Sequence, residues 1–213
     1  HHALSESLNM FTIRAVNNCQ SILHLYRKVA MGYPIETRGA KCLNIRNAAI
    51  ILDAREAVFT DFKERKPNLT YAKQEWLWYL RADPKDDSIE QYATMWKKLK
   101  QPDGSFFSNY GQYMFNGQFA YVIEMLKKDP DSRRAVMTLL KPEHLFEDNV
   151  DTVCTYAIHF TIQDDQLHMT VMMRSNDVIF GFTNDAFCFH QLMIFVQKIL
   201  LPTYPMLELP TYT

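Results

Sequence analysis

The stretch Cys154-Thr155-Tyr156-Ala157-Ile158-His159-Phe160-Thr161-Ile162-Gln163-Asp164-Asp165-Gln166-Leu167-His168-Met169-Thr170-Val171-Met172-Met173-Arg174 decides the fold. Apolar, β-branched and aromatic residues flank the polar break Gln163-Asp164-Asp165-Gln166, the pattern of two strands joined by a tight turn. With Asp164-Asp165 as a two-residue turn, Gln163 pairs with Gln166, and counting outward sets Cys154 opposite Ser175. A thiol and the Arg174 guanidinium then share the open end of one hairpin.

Helices lie on both sides of that hairpin. Ile13 to Met31 carries apolar residues at helical spacing, with Gly32 where a C-terminal cap belongs. Cys42 to Asp53 reads as a strand leading into loops around Pro67. Thr70 resembles an N-cap for a helix over Tyr71 to Leu80, and a second amphipathic stretch runs from Ser88 to Leu99, closed by Gly104. Phe119, Val122, Ile123 and Leu126 mark a further helix, with Lys127 and Lys128 suited to its C-terminal dipole. Ala135 to Leu140 reads as a strand, and Asp185 to Leu201 as a helix buried on most of its surface. Helices and antiparallel strands interleave without a regular βαβ repeat, so the expected class is α+β.

Composition narrows the function. A chain of 213 residues with 47% hydrophobic and 22% charged residues supports one sizeable core, and residues 1–213 are read as a single domain. A formal charge of -1 removes the overall basicity expected of a nucleic-acid binder, so any anion must be held locally. The four cysteines show no CxxC spacing, which points to a reducing compartment, and the seven histidines show no ligand spacing, so no metal is expected. No apolar run of membrane-spanning length occurs, and His1-His2 looks like a tag remnant; the expectation is a cytoplasmic protein without a membrane partner.

Several residues could carry chemistry. Arg174 near Cys154 would favour the thiolate, against the alternative of a small buried hydrophobe. Helical spacing puts Tyr71, Trp78 and Tyr79 on the face of Glu75. Burial there would raise its pKa, as suits a general acid or proton relay; the alternative is an exposed salt-bridging Glu. Arg133 and Arg134, at the start of a strand and next to a helix end, could hold a phosphate or be an ordinary solvated pair. Arg38 adds a third cation beside Gly39, which permits close backbone approach. The tract Met173 to Asp185 packs polar groups densely ahead of the buried helix.

Together, Pro130-Asp131-Ser132-Arg133-Arg134, the Cys154-Thr155 strand and Met173-Arg174-Ser175-Asn176-Asp177-Val178-Ile179-Phe180-Gly181-Phe182-Thr183-Asn184-Asp185 resemble the thymidylate synthase superfamily. The resemblance runs from about Glu36 to the chain end and is nearest to its phage deoxycytidylate hydroxymethylase branch. It implies a large, mostly antiparallel sheet flanked by helices, and a homodimer whose sheets face each other. It also implies a pyrimidine nucleoside monophosphate substrate, 5,10-methylenetetrahydrofolate as one-carbon donor, and a place in the host cytoplasm if the chain is phage-encoded.

Carried over by position, Cys154 matches the nucleophile that adds to pyrimidine C6, Glu75 the catalytic glutamate and Tyr110 the active-site tyrosine. Arg174 and Ser175 match phosphate ligands, Arg38 a further phosphate arginine, and Arg133 and Arg134 the pair reaching the partner's phosphate across the dimer. Asp177 matches a residue near base and folate. Asp185 stands where thymidylate synthases have Asn, so it implies cytosine over uracil, with Asn184 as reader if the local alignment slips by one. The expected product is 5-hydroxymethyl-dCMP, with dUMP hydroxymethylation or methylation as the alternative. The family's His-x-Tyr element and folate-closing tail would follow Thr213 and are absent from this sequence. That keeps a non-catalytic dimeric nucleotide binder as an alternative of another class.

Overall fold

Both Asp164 (φ 50°) and Asp165 (φ 57°) adopt left-handed backbone, the mirror-image turn that matches strand twist, and Gln163 pairs with Gln166 as the sequence predicts. This computed structural model describes residues 11–58, 66–146 and 149–212; His1-His2 and Thr213 lie outside them. In chain order the elements are β1 (Phe11–Ile13), α1 (Asn18–Ala30), β2 (Tyr33–Thr37), β3 (Ala40–Asn44), β4 (Ala48–Ile50), β5 (Leu52–Asp53), α2 (Leu69–Arg81), α3 (Trp96–Leu99), α4 (Gly111–Tyr113), α5 (Phe119–Lys128), β6 (Val136–Thr138), β7 (Thr155–Gln163), β8 (Gln166–Met173), α6 (Gly181–Leu200) and β9 (Thr211–Tyr212).

The chain is therefore mixed helix and strand. The large antiparallel sheet expected from the sequence is, among the described residues, a five-stranded mixed sheet in the order β5-β9-β8-β7-β6. Only β8 and β9 run parallel within it. Two-stranded pairs β1-β4 and β2-β3 stand apart from it. On β7 and β8 the register pairs Ile158 with Val171, Phe160 with Met169 and Ile162 with Leu167, which puts these side chains on one face. Ile158, Phe160, Leu167 and Met169 are buried in the core cluster that holds Leu192, Met193, Val196 and Leu200 of α6 and Val122 and Leu126 of α5. Each such fully buried side chain contributes roughly 1.5–3 kcal/mol relative to exposure.

Several expected boundaries move, each for a local reason. α1 begins at Asn18, not Ile13, because the Asn17 side chain accepts from Gln20 N at 2.9 Å and starts the helix there; Ile13 belongs to β1. Gly32 has no left-handed backbone and is not a cap of that kind; an added Cβ would lie 2.6 Å from Asn44 O, so it lets α1 approach β3. The single strand expected over Cys42 to Asp53 is broken at Asn47 (φ 54°) between β3 and β4, and again at Ile51, where β4 pairing with β1 gives way to β5 pairing with β9. Asn68, not Thr70, caps α2, accepting from Tyr71 N at 2.9 Å. The amphipathic stretch Ser88 to Leu99 is a 3-10 turn (Ser88–Gln91) and the short α3, which bury Ile89 and Trp96 respectively. α5 and the buried α6 form as predicted, although α6 already begins at Gly181. Among the described residues no helix is long and apolar enough to cross a membrane.

Candidate active site

The end of the β7-β8 hairpin departs from simple counting, and the departure positions the thiol. An irregularity between Thr155 and Ala157 pairs Thr155 with Met173, while Ala157 pairs with Met172. The extra residue shifts the register by one, so Arg174, not Ser175, faces Cys154: Arg174 N donates to Cys154 O at 2.9 Å. The guanidinium then folds over the segment leading to the thiol. Its Nε donates to Val153 O at 3.1 Å, and its Nη2 donates to Thr152 O at 2.5 Å and to Cys154 Sγ at 3.5 Å. Those contacts use Nε and Nη2 and leave Nη1 for an anion. The expected net lowering of the thiol pKa does not occur. Burial pushes Cys154 up, Arg174 opposes it, the Asp185 and Asp151 charges add to the rise, and Arg38 pulls weakly downward.

α2 supplies the buried carboxyl. Glu75 is 5% exposed, which excludes the surface salt-bridge alternative. Tyr71 and Tyr79, one turn on either side, donate their hydroxyls to Oε1 at 3.1 and 3.3 Å. Trp96 Nε1 in turn donates to the Tyr71 hydroxyl at 2.9 Å. Burial pushes the Glu75 carboxyl up to about 7, with both phenols opposing. Cys188 on α6 is buried with its Sγ 4.0 Å from Glu75 Oε2.

Tyr110 reaches the same region from the loop before α4. Its ring stacks on Tyr79 at 5.4 Å and on Phe189 at 6.1 Å. Gly111 makes that approach feasible, since a Cβ there would lie 1.8 Å from Tyr79 O. The loop is pinned at both flanks. Ser108 N donates to Asp151 Oδ2 at 3.1 Å and the Ser108 hydroxyl donates to the same oxygen, while the Tyr113 hydroxyl donates to Phe107 O at 2.9 Å. Asp151, three residues before Cys154, thus ties the thiol's approach segment to the Tyr110 loop. Only its position near the cysteine hinted at this.

The polar tract before α6 divides its labour. Asp177 accepts from Ile179 N and Phe180 N through Oδ1, at 2.9 and 2.7 Å, and from Gly181 N through Oδ2 at 2.8 Å, so it caps the start of α6. Asn184 donates back to Phe180 O at 3.0 Å. Asp185 instead joins the thiol region: burial and the Glu75 charge push its carboxyl well up, while Asn176 Nδ2 donates to its Oδ2 at 3.0 Å and opposes the rise. Ser175 is exposed beside Arg174.

The remaining cations lie at exposed positions. Arg38 (φ 51°) and Gly39 (φ 75°) form the two-residue turn of the β2-β3 hairpin. No atom lies within 4 Å of a Cβ built on Gly39, so its glycine serves turn geometry, not the close approach expected. Arg133 and Arg134 are exposed between α5 and β6, and neither has an ion-pair partner among the described residues.

A half-buried thiol under a guanidinium, a raised carboxyl on α6 whose charge acts on it, and the buried Glu75 carboxyl coupled to that second carboxyl define a site for nucleophilic and acid–base chemistry. The chain matches the sequence profile of thymidylate synthase over residues 20–200 and belongs to that family. It is 28% identical over 162 residues to deoxycytidylate 5-hydroxymethyltransferase of Enterobacteria phage T4, covering 72% of this chain and 63% of that enzyme. It is 28% identical over 134 residues to thymidylate synthase of Bacillus atrophaeus, covering 58% of this chain and 59% of the relative. The solved thermostable thymidylate synthase A from Bacillus subtilis superposes with a TM-score of 0.59 at 26% identity, over 76% of this chain and 60% of that one. The chain thus spans under two thirds of the length of each of these relatives.

Proposed function

We propose that this chain transfers a one-carbon unit to C5 of a pyrimidine nucleoside monophosphate, most specifically converting dCMP to 5-hydroxymethyl-dCMP. The observation that carries the reading is the Cys154 thiol held 3.5 Å from Arg174 Nη2. In this reading Cys154 Sγ adds to C6 of the pyrimidine and forms a thioether, which makes C5 nucleophilic. Arg174 assists the thiolate and, with Ser175, Arg38 and a partner's Arg133 and Arg134, holds the phosphate. Glu75, with a carboxyl pKa of about 7, relays protons at neutral pH, and Tyr110 lines the pocket.

The donor in this reading is 5,10-methylenetetrahydrofolate, which when bound supplies the carbon joined to C5. The residues fit it at Asp177. A carboxylate offers about four acceptor positions, backbone N–H groups fill three, and one is left for a pterin N–H. Asp185 supports cytosine, because a carboxyl group can accept from N4–H and donate to N3. Its raised pKa favours the acid form that this donation needs, and the same acid with its proton on the other oxygen serves dUMP in the second reading.

Thymidylate synthase family members act on pyrimidine nucleoside monophosphates and are typically dimers. A homodimer through the sheet is supported here by Tyr156 and Met172, which stand 42% and 41% exposed at the open end of the hairpin. Full-length protein incubated with dCMP, dUMP or CMP and methylenetetrahydrofolate, with products identified by mass, tests the reading. A hydroxymethyl adduct of dCMP supports it. Nucleotide binding without any product would favour a non-catalytic binder.

A further inference from the structure

Asn176 is the residue whose contacts say most about selectivity. Its amide Nδ2 donates to Asp185 Oδ2 at 3.0 Å and lies 3.4 Å from Met173 Sδ. The other end is seated as well. Asn176 Oδ1 fills the space over Gly181, where an added Cβ would come within 2.5 Å of it. Gly181 is itself held by Asp177 Oδ2, which accepts from its N–H at 2.8 Å. The amide of this exposed residue is thus aimed at one oxygen of the base-facing carboxyl, a placement that rests on the reading of Asp185 given above.

We infer that Asn176 is a specificity-determining positioning residue: it fixes which oxygen of Asp185 accepts and which can donate, and so sets the choice between amino- and oxo-pyrimidine nucleotides. A carboxylic acid has one carbonyl-type oxygen, the better acceptor, and one hydroxyl. An N–H directed at Oδ2 keeps Oδ2 in the acceptor role, so a proton on this group belongs on Oδ1. Cytosine presents an acceptor at N3 and a donor at N4; uracil presents a donor at N3 and an acceptor at O4. The same acid therefore complements one base with its proton on one oxygen and the other base with its proton on the other. A free carboxyl could satisfy both by moving its proton or rotating. The amide removes that freedom, and discrimination follows from the mispaired polar group left in the wrong complex.

Calorimetric affinities of the full-length protein for dCMP and for dUMP, measured without folate, test this. The unaltered protein should prefer one nucleotide. In Asn176→Ala and in Asn176→Asp, which keeps the shape but cannot donate when ionised, the ratio of the two affinities should move about tenfold or more toward equality. Gly181→Ala should move it the same way, because the new methyl displaces an intact amide. The ratio of kcat/KM values should follow the affinity ratio. A merely structural Asn176 would weaken both nucleotides together and leave the ratio within about twofold, and that result overturns the inference. Equal binding of both nucleotides by the unaltered protein also overturns it while leaving the site reading intact; binding of neither overturns both.

Discussion

Arg174 clasps Cys154 from two directions: its Nη2 stands 3.5 Å from Sγ, and its Nε and Nη2 hold the carbonyls of Val153 and Thr152 just upstream. One guanidinium therefore orients the thiol and its backbone while opposing the upward push of burial on the thiol pKa. A lysine has one point charge and cannot span these acceptors in a plane. Arg174→Ala should shift the pH midpoint of Cys154 alkylation upward, and Arg174→Lys should leave the thiol better ionised than Ala does without restoring turnover. Rates followed by peptide mass separate Cys154 from Cys19, Cys42 and Cys188. An unchanged midpoint in Arg174→Ala would remove the electrostatic coupling.

Glu75 links stability to pH. Its pKa is near 7 in the fold, against 4.5 for the unperturbed group, so between these values the folded state binds the extra proton. Stability from this group is present at low pH and is lost as pH rises through 4.5 toward 7, by roughly 3 kcal/mol at about 1.4 kcal/mol per pKa unit. Glu75→Gln cannot ionise and should flatten that part of the profile in denaturant titrations, while turnover falls roughly 100-fold or more and nucleotide affinity is retained. A profile identical to that of the unaltered protein would mean the carboxyl does not titrate there.

What the sequence reveals here depends on how local the cause is. The Asp164-Asp165 hairpin and the Tyr71, Glu75 and Tyr79 face were legible because alternation and four-residue spacing operate within one element. The irregularity at Thr155/Ala157 was not, since one extra residue leaves the alternating pattern nearly unchanged and yet decides that Arg174 faces Cys154. Nor were the ties from Asp151 to Ser108 and from Asn176 to Asp185, which depend on loop paths. Asp177 was expected near base and folate, but most of its hydrogen-bonding capacity goes to the α6 terminus. The positions of Arg133 and Arg134 between α5 and β6 were legible, and the cross-subunit use proposed for them is a matter of assembly that one chain's sequence pattern does not carry.

That use is directly testable. If Arg133 and Arg134 complete the partner's phosphate site, Arg134→Glu and Cys154→Ala chains should each be inactive alone and regain activity when mixed, because each heterodimer holds one intact site. Recovery should approach a quarter of the unaltered activity for random reassociation of equal amounts. No recovery after verified subunit exchange would take these arginines out of the shared site.

Asp185→Asn should weaken dCMP and improve dUMP, since an amide presents a fixed donor and acceptor matched to uracil. The shift in preference should reach roughly tenfold to a hundredfold, the range for a mismatched buried polar pair at about 1–3 kcal/mol. Should the unaltered protein already prefer dUMP, comparing Asn184→Ala with Asp185→Ala on that nucleotide identifies the reader; loss confined to Asn184→Ala would displace Asp185 from the base.

Release of tritium from C5-labelled nucleotide tests the covalent step most directly, because C5 exchanges only after a nucleophile has added to C6. Full-length protein should release tritium with a one-carbon donor present, whatever the final product. Cys154→Ala and Cys154→Ser should reduce release to background while keeping the unaltered circular dichroism spectrum and nucleotide affinity. Release at the unaltered rate from either variant would contradict Cys154 as the nucleophile.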